Sequence, residues 1–424
     1  MKALLLRIKN VANDRVTRVL FYDQTLKKGY ASLASFSKLF ILRRVLITLI
    51  AYPLSILCWI FLVVLNLSTT VRIFRFERPQ RPGFASVYIE QLEPLCRELQ
   101  DSGNKGILIF IDASETTNLE LLKLYASHFN LYLDDRSKFA RTIFSLIPKI
   151  GFTNSFVKHS HYNLNWEFLQ ARNLRNLEPN VLPDALSDLG LETNNFVIFS
   201  YPSIRYYKNR MFGVYTDLTR LQDQSNNLDA LNLLINQGFK IVRLGLDTDP
   251  LESAFKELEI IDLSGESHDD YNDLWLYENC FFTWSAGGAG TWHFAHKFDR
   301  PSLITENYMH CYGYQASLYT RRLVWDKNQK RALTITEMQA EGLAQRSIME
   351  QRGLSFIDGT PLQICKAVEE MIAVEKNTYQ YSKEDLALLA KWDQISLSLH
   401  KPERKMRHTR LCISFLKEHE ELLY

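Results

Sequence analysis

Between Phe281 and His296 the chain reads FFTWSAGGAGTWHFAH, an apolar run ending at Trp284 followed by Ser285, Ala286, Gly287, Gly288 and Gly290, with a helix start near Thr291. Glycines let the backbone approach a ligand closely, and the free N–H groups of a helix start bind phosphate oxygens. The chemistry this pattern offers is diphosphate binding. A tight structural turn uses the same residue types, and the spacing is neither the dinucleotide fingerprint nor a Walker loop.

A second chemical element is Arg243, set in the apolar run FKIVRLGL with Gly245 two residues on. A charge inside a strand is costly without a partner. Two readings stand: a guanidinium that reaches the strand's carboxyl end and clamps a phosphate, or a buried ion pair with Asp262 or Asp273. LDTDP follows at once, with Asp247 and Asp249 two apart. Carboxylates so spaced after a strand can hold a metal-bound diphosphate, but Asp before Pro is also ordinary turn chemistry. His293 and His296 share a helical face without a third ligand, so no metal site is expected. His159 and His161, in VKHSHYN, are candidate general bases for an acceptor hydroxyl, although surface or structural histidines are commoner. The six cysteines are scattered with no paired spacing, which suits reduced thiols.

The elements that must position these groups alternate strand and helix. GILIFIDAS at 106–114 reads as a strand, and TTNLELLKLYASHF at 116–129 as a helix. A linker rich in Pro, Asn and Asp then precedes a second alternation. Its strands are FVIFS, FKIVRLGL, IIDLSG, FFTWSA and PSLITEN, and its helices are NLDALNLLINQ and DDYNDLWLYEN. Such repetition with short connections predicts α/β layers around parallel sheets, with ligands outside the strand carboxyl ends. The expected divisions are a basic amphipathic arm at 1–44, a membrane-inserted segment with its basic flank at 45–75, one Rossmann-like domain at 76–185, a second at 186–334, and a helical region at 335–424.

Val45–Leu65 is 21 residues without a charge, about the length that crosses a hydrocarbon core of roughly 30 Å. Arg43 and Arg44 precede it; Arg72, Arg75, Arg78 and Arg81 follow it. Both flanks favour the cytoplasmic face, and Pro53 favours a kink. A re-entrant hairpin satisfies these features, and a single span is the alternative. Residues 1–44 carry ten Lys/Arg against two acids, as an interfacial arm would. A net charge of only +2 over 424 residues argues against nucleic acid as a partner.

Taken in order, IVRLG, IIDLSG with Asp262, DLWLYENC starting at Asp273, FFTWSAGGAG and RPSLITEN ending at Asn307 resemble a family of bacterial glycosyltransferases. That family has an N-terminal hydrophobic anchor and a GT-B-like fold, two Rossmann-like domains facing a cleft. The resemblance is clearest over about 186–310. It departs after FVIFS, where YPSIRYYKNR offers Arg205 or Arg210 in place of the family's arginine motif. The turn is also AGGAG rather than a Ser-Ser-Gly type. The resemblance implies a nucleotide-sugar donor, no further cofactor, and a donor site of Arg243, Gly245, Asp262, Asp273, the 285–291 turn, Asn307 and Arg205. It also implies a lipid-linked or cell-surface glycan acceptor, with the catalytic domains on the cytoplasmic side of the inner membrane. Runner-up readings are a nucleotide-sugar epimerase of the same fold, and a catalytically inactive membrane scaffold.

Overall fold

The computed structural model describes residues 182–205, 222–245, 248–287, 292–295, 298, 300–307, 317–340, 352–399 and 410–424. It also describes two earlier strands and the helical positions 50, 53, 54, 56, 57, 60 and 120. The chain divides into two compact units: Met1–Leu164 with Tyr206–Thr216, and Asn165–Arg205 with Asp217–Tyr424. In the first unit, strands β1 (Val71–Arg75) and β2 (Gly106–Phe110) pair in parallel. Of the apolar segment at 45–65 only six positions are described. Among the described residues no helix is long and apolar enough to cross a membrane.

The second unit is built on a seven-stranded sheet. Its strands are β3 (Phe196–Ser200), β4 (Lys240–Arg243), β5 (Ile260–Asp262), β6 (Phe282–Ala286), β7 (Ser302–Asn307), β8 (Ser317–Arg321) and β12 (Arg410–Leu411). Their order across the sheet is β12-β8-β7-β6-β3-β4-β5, and every neighbouring pair is parallel. The α/β class with a parallel sheet is therefore observed. β3 is buried at all five positions, as a central parallel strand covered on both faces must be. A smaller antiparallel sheet, β10 (Arg331–Ala332), β9 (Leu323–Asp326) and β11 (Leu354–Ile357), follows β8.

Helix α1 (Leu228–Asn236) links β3 to β4 and buries Ala230, Leu231 and Leu234. Helix α2 (Asp270–Asn279) links β5 to β6, its start fixed by Asp269, whose side chain accepts from the backbone N–H of Tyr271 and Asn272. Short helix α3 (Trp292–Ala295) lies between β6 and β7. Among the described residues three further helices follow β9, α4 (Ile335–Ala340), α5 (Pro361–Glu375) and α6 (Lys383–Leu399), with α7 (Ile413–Glu418) after β12.

Thr360, Pro361 and Gln363 explain why α5 starts where it does. Thr360 and Gln363 form a reciprocal capping box, and Pro361 fills a position whose N–H would have no helical partner. α5 contacts α1 and α7. Its buried Glu370 accepts from the backbone N–H of Ile413 (2.9 Å) and Ser414 (3.0 Å) and from Arg410 Nη1 (2.6 Å). The C-terminal segment is thus tied to the sheet through β12 and through one buried carboxylate. Core packing beneath the strand ends is aromatic: the rings of Phe199 and Trp284 lie 4.8 Å apart on adjacent strands.

Candidate functional site

From β3 the chain moves outward to β4 and β5, then returns to the other side of β3 to form β6, β7 and β8. The order reverses between β3 and β6, and open α/β sheets bind ligands outside the carboxyl ends at such a reversal. Register places Ser200 directly opposite Ser285 there, one at the last position of β3 and the other beside Ala286 near the end of β6. Both serines are buried. Gly287 continues from β6 with φ 60°, a left-handed conformation that glycine adopts without penalty. Its N–H donates to Thr305 O at 2.9 Å, so the turn is pinned to β7.

On one flank of the reversal stands Arg243. Its guanidinium is almost wholly buried; Nη1 donates to Asp262 Oδ2 at 2.8 Å and Nη2 to the Asp249 carbonyl at 2.6 Å. The group also lies 4.9 Å over the Tyr201 ring. Asp262 is the register partner of Arg243 on β5, and its other oxygen accepts from Ser264 N (3.1 Å) and Ser264 Oγ (2.6 Å). Asp249 in turn accepts at Oδ2 from Ser203 Oγ (2.8 Å) and Arg205 N (3.1 Å). Arg243 therefore ties together the ends of β4 and β5 and the loop that follows β3. Gly245 has φ 155°, and a Cβ there would clash with Thr248 Cγ2. Burial pushes the Tyr201 hydroxyl up to about 12, against the opposing pull of Arg243.

Asp273 lies in the first turn of α2, the helix between β5 and β6, with His268 beside it. His268 Nε2 is 2.9 Å from Asp270 Oδ1, and Nδ1 is 3.4 Å from Asp273 Oδ2. Burial pushes Asp273 up to about 7, although the neighbouring His268 opposes this. Burial alone would lower His268, but the hydrogen bond to Asp270 and the nearby acids outweigh it and raise the group.

The opposite flank holds residues that the sequence pattern did not single out. Glu306, in β7, has φ 54° and is 1% exposed. A non-glycine residue in that conformation at the end of a strand is strained, and such strain concentrates at functional positions. Register between β7 and β8 shifts at this point, and Glu306 N donates to Thr320 Oγ1 at 2.9 Å. Its Oε1 accepts from Gly359 N at 2.5 Å, while Oε2 is buried with no hydrogen-bond partner among the described residues. Asp358 pairs with Arg322, which follows β8, and accepts weakly from Asp223 N at 3.4 Å. Asn226 Nδ2 donates to Gly359 O at 3.2 Å. Burial pushes Glu306 up to about 7; Gly359 N–H opposes the rise, and Asp358 adds to it.

The sequence-based donor site is thus partly described. Arg243, Gly245, Asp262, Asp273, Ser285, Ala286, Gly287 and Arg205 all fall within the second unit, near the carboxyl ends of β3, β4, β5 and β6. His159, His161, Arg210, Asp247, Gly288, Gly290, Thr291 and His296 lie outside the described residues, as do the side chains of His293 and Asn307. Among the described residues no cluster of three His, Cys, Asp or Glu is placed to hold a metal. Glu306 is adjacent to Asn307 in PSLITEN, and a lone acid closing an apolar strand was the signal that could have found it.

No family model and no curated protein matches the chain. Among solved structures, the E. coli heptosyltransferase WaaC with ADP is 12% identical, over 51% of this chain and 59% of that one, at a TM-score of 0.22. The UDP-GlcNAc 2-epimerase from Methanocaldococcus jannaschii is 11% identical over 70% and 82% of the two chains, at 0.26. The glycosyltransferase SnogD from Streptomyces nogalater is 13% identical over 69% and 79%, at 0.24. Scores this low do not establish a shared fold.

Proposed function

We propose that the second unit binds a nucleotide sugar at the reversal between β3 and β6, and that the protein transfers the sugar to a lipid-linked or cell-surface glycan acceptor. The observation that carries this reading is the reversal of strand order between β3 and β6, continued by the left-handed turn at Gly287. Backbone donors of a glycine turn at the carboxyl end of a parallel sheet suit a diphosphate. Arg205 stands exposed just beyond β3 and supplies a cation at the same edge. Fixed donors of this kind stabilise the charge that develops on a leaving diphosphate, and the reading requires no metal. Arg243 is assigned a positioning role, because Nη1 donates to Asp262 and Nη2 to the Asp249 carbonyl.

The first unit, in this reading, takes the acceptor at the cytoplasmic face of the inner membrane. Support for lipid contact comes from Ile50, Leu54, Leu57 and Ile60, helical positions spaced four, three and three apart, whose large apolar side chains are exposed.

A thermal-shift screen of detergent-purified protein against UDP, GDP, CMP, ADP and dTDP, each with and without EDTA, tests the reading. Stabilisation by one diphosphate that persists in EDTA, and weakens in Arg205→Ala, is the expected result. Stabilisation abolished by EDTA would move the diphosphate to a metal site at Asp247 and Asp249. No response to any nucleotide would overturn donor binding and leave a scaffold.

A further inference from the structure

Glu306, Asp223, Arg322 and Asp358 gather where three parts of the fold meet: the connection from β3 to α1, the ends of β7 and β8, and the loop ahead of α5. All of these lie at the ligand edge of the sheet, on the far side of the reversal from Arg243. The groups facing Glu306 are Asp358 and Gly359 from the α5 side, Arg322 from the β8 side, and Asp223 from the α1 side. Three carboxyl groups thus gather around Arg322, which already pairs with Asp358, and the buried Arg321 ends β8 opposite Asn307.

An ionised Glu306 would be a nearly unexposed charge beside two other acids, a costly arrangement. Oε1 is occupied as an acceptor by Gly359 N–H at 2.5 Å. A proton on the carboxyl group therefore belongs on Oε2, the atom with no hydrogen-bond partner among the described residues. A buried acidic O–H without an acceptor is itself unfavourable, and fully unsatisfied buried polar atoms are rare. The strained backbone at φ 54° adds to the cost of holding this carboxyl here.

We propose that Glu306 serves the site as a neutral acid whose Oε2–H donates a hydrogen bond to an uncharged acceptor atom of the bound nucleotide sugar, such as a carbonyl, a ring nitrogen or an ether oxygen. The inference rests on the reading that the crevice holds a nucleotide sugar, and it assigns orientation within it. The Glu306 flank, where the acids Asp223 and Asp358 stand against the buried Arg321 and Arg322, receives an uncharged part of the donor. The diphosphate lies toward Ser200, Ser285, Gly287 and Arg205. The proton stays on Glu306, and no group is transferred.

The test measures dissociation constants for the nucleotide that stabilises the wild type, at pH 6 and pH 8.5, in wild type and Glu306→Gln. The amide of glutamine keeps a donor at the same place without an ionisable proton. Losing one good hydrogen bond weakens binding about tenfold. Wild-type affinity is therefore expected to fall about tenfold between the two pH values. Glu306→Gln is expected to bind within about threefold of the wild type at pH 6 and to lose most of the pH dependence. An infrared band of a protonated buried carboxyl, present in the unliganded wild type at pH 6 and missing in Glu306→Gln, gives a readout independent of ligand.

Tenfold or greater loss of binding in a folded Glu306→Gln at pH 6, with wild-type binding intact, would overturn the assignment alone, because it would show that a carboxylate is required. Absence of the infrared band would do the same. A wild type that binds none of the five nucleotides would overturn the site reading and this assignment together.

Discussion

The Arg243–Asp262 pair yields a prediction in which the order of two effects matters more than their size. The side chain of Arg243 is 2% exposed and that of Asp262 33%, so the two partners differ sharply in what their loss leaves behind. Asp262→Asn leaves a buried guanidinium without its counter-charge. Breaking a buried pair from that side costs about 3–5 kcal/mol. Here the value falls to about 2–4 kcal/mol, since the asparagine oxygen can still accept a hydrogen bond and the Tyr201 ring still faces the cation. Arg243→Met leaves instead a carboxylate that reaches water and retains both donors of Ser264. Its cost is the orphaned Asp249 carbonyl and lost packing, offset by the removal of a desolvated charge, or about 1–2 kcal/mol. Chemical denaturation followed by tryptophan emission reports this, because Trp275 and Trp284 are both buried in this unit. Asp262→Asn should be the more destabilised, and the double variant should be no less stable than Asp262→Asn alone. If Arg243→Met proves the more costly, the guanidinium is not the group whose desolvation dominates, and the positioning role assigned to it fails.

Gly245→Ala should destabilise by about 1–3 kcal/mol, since the new Cβ clashes with Thr248 Cγ2; adding Thr248→Ser should recover part of the loss in the same denaturation assay. Asp273, held up to about 7, stays protonated in the folded chain while its unfolded counterpart ionises from about pH 4. Folding then takes up a proton, so stability from this group falls as pH rises between about 4 and 7, by at most about 1.4 kcal/mol per pH unit. Asp273→Asn should flatten that part of the stability–pH curve, and an unchanged slope would count against the burial argument. Leu54→Glu with Leu57→Glu should reduce co-sedimentation with anionic phospholipid vesicles, and undiminished binding would remove the lipid-contact role from these positions.

Much of the second unit was legible because its elements carry local signals. Unbroken apolar runs such as FVIFS and FFTWSA mark strands buried on both faces, and alternation with helical segments implies parallel pairing. Gly287 could be placed in a turn because a polar and glycine-rich stretch follows an apolar one. The two readings of Arg243, phosphate clamp and buried ion pair, could not be separated that way. Their resolution depends on which residue of β5 stands opposite, and register is a property of two strands, not of one.

Glu306 shows the same limit more sharply. Residue types along PSLITEN mark a strand with an acid near its end, and nothing local reveals that the acid adopts a left-handed backbone or meets Gly359, fifty-three positions away. Composition and spacing determined the α/β class and the order of the elements, because hydrophobic period and turn chemistry act over a few residues. The tertiary structure alone decided which side chains share that edge. The strand order β7-β6-β3-β4 brings Glu306, Ser285, Ser200 and Arg243 to neighbouring strands, and burial then sets which of their charges and protons can be kept.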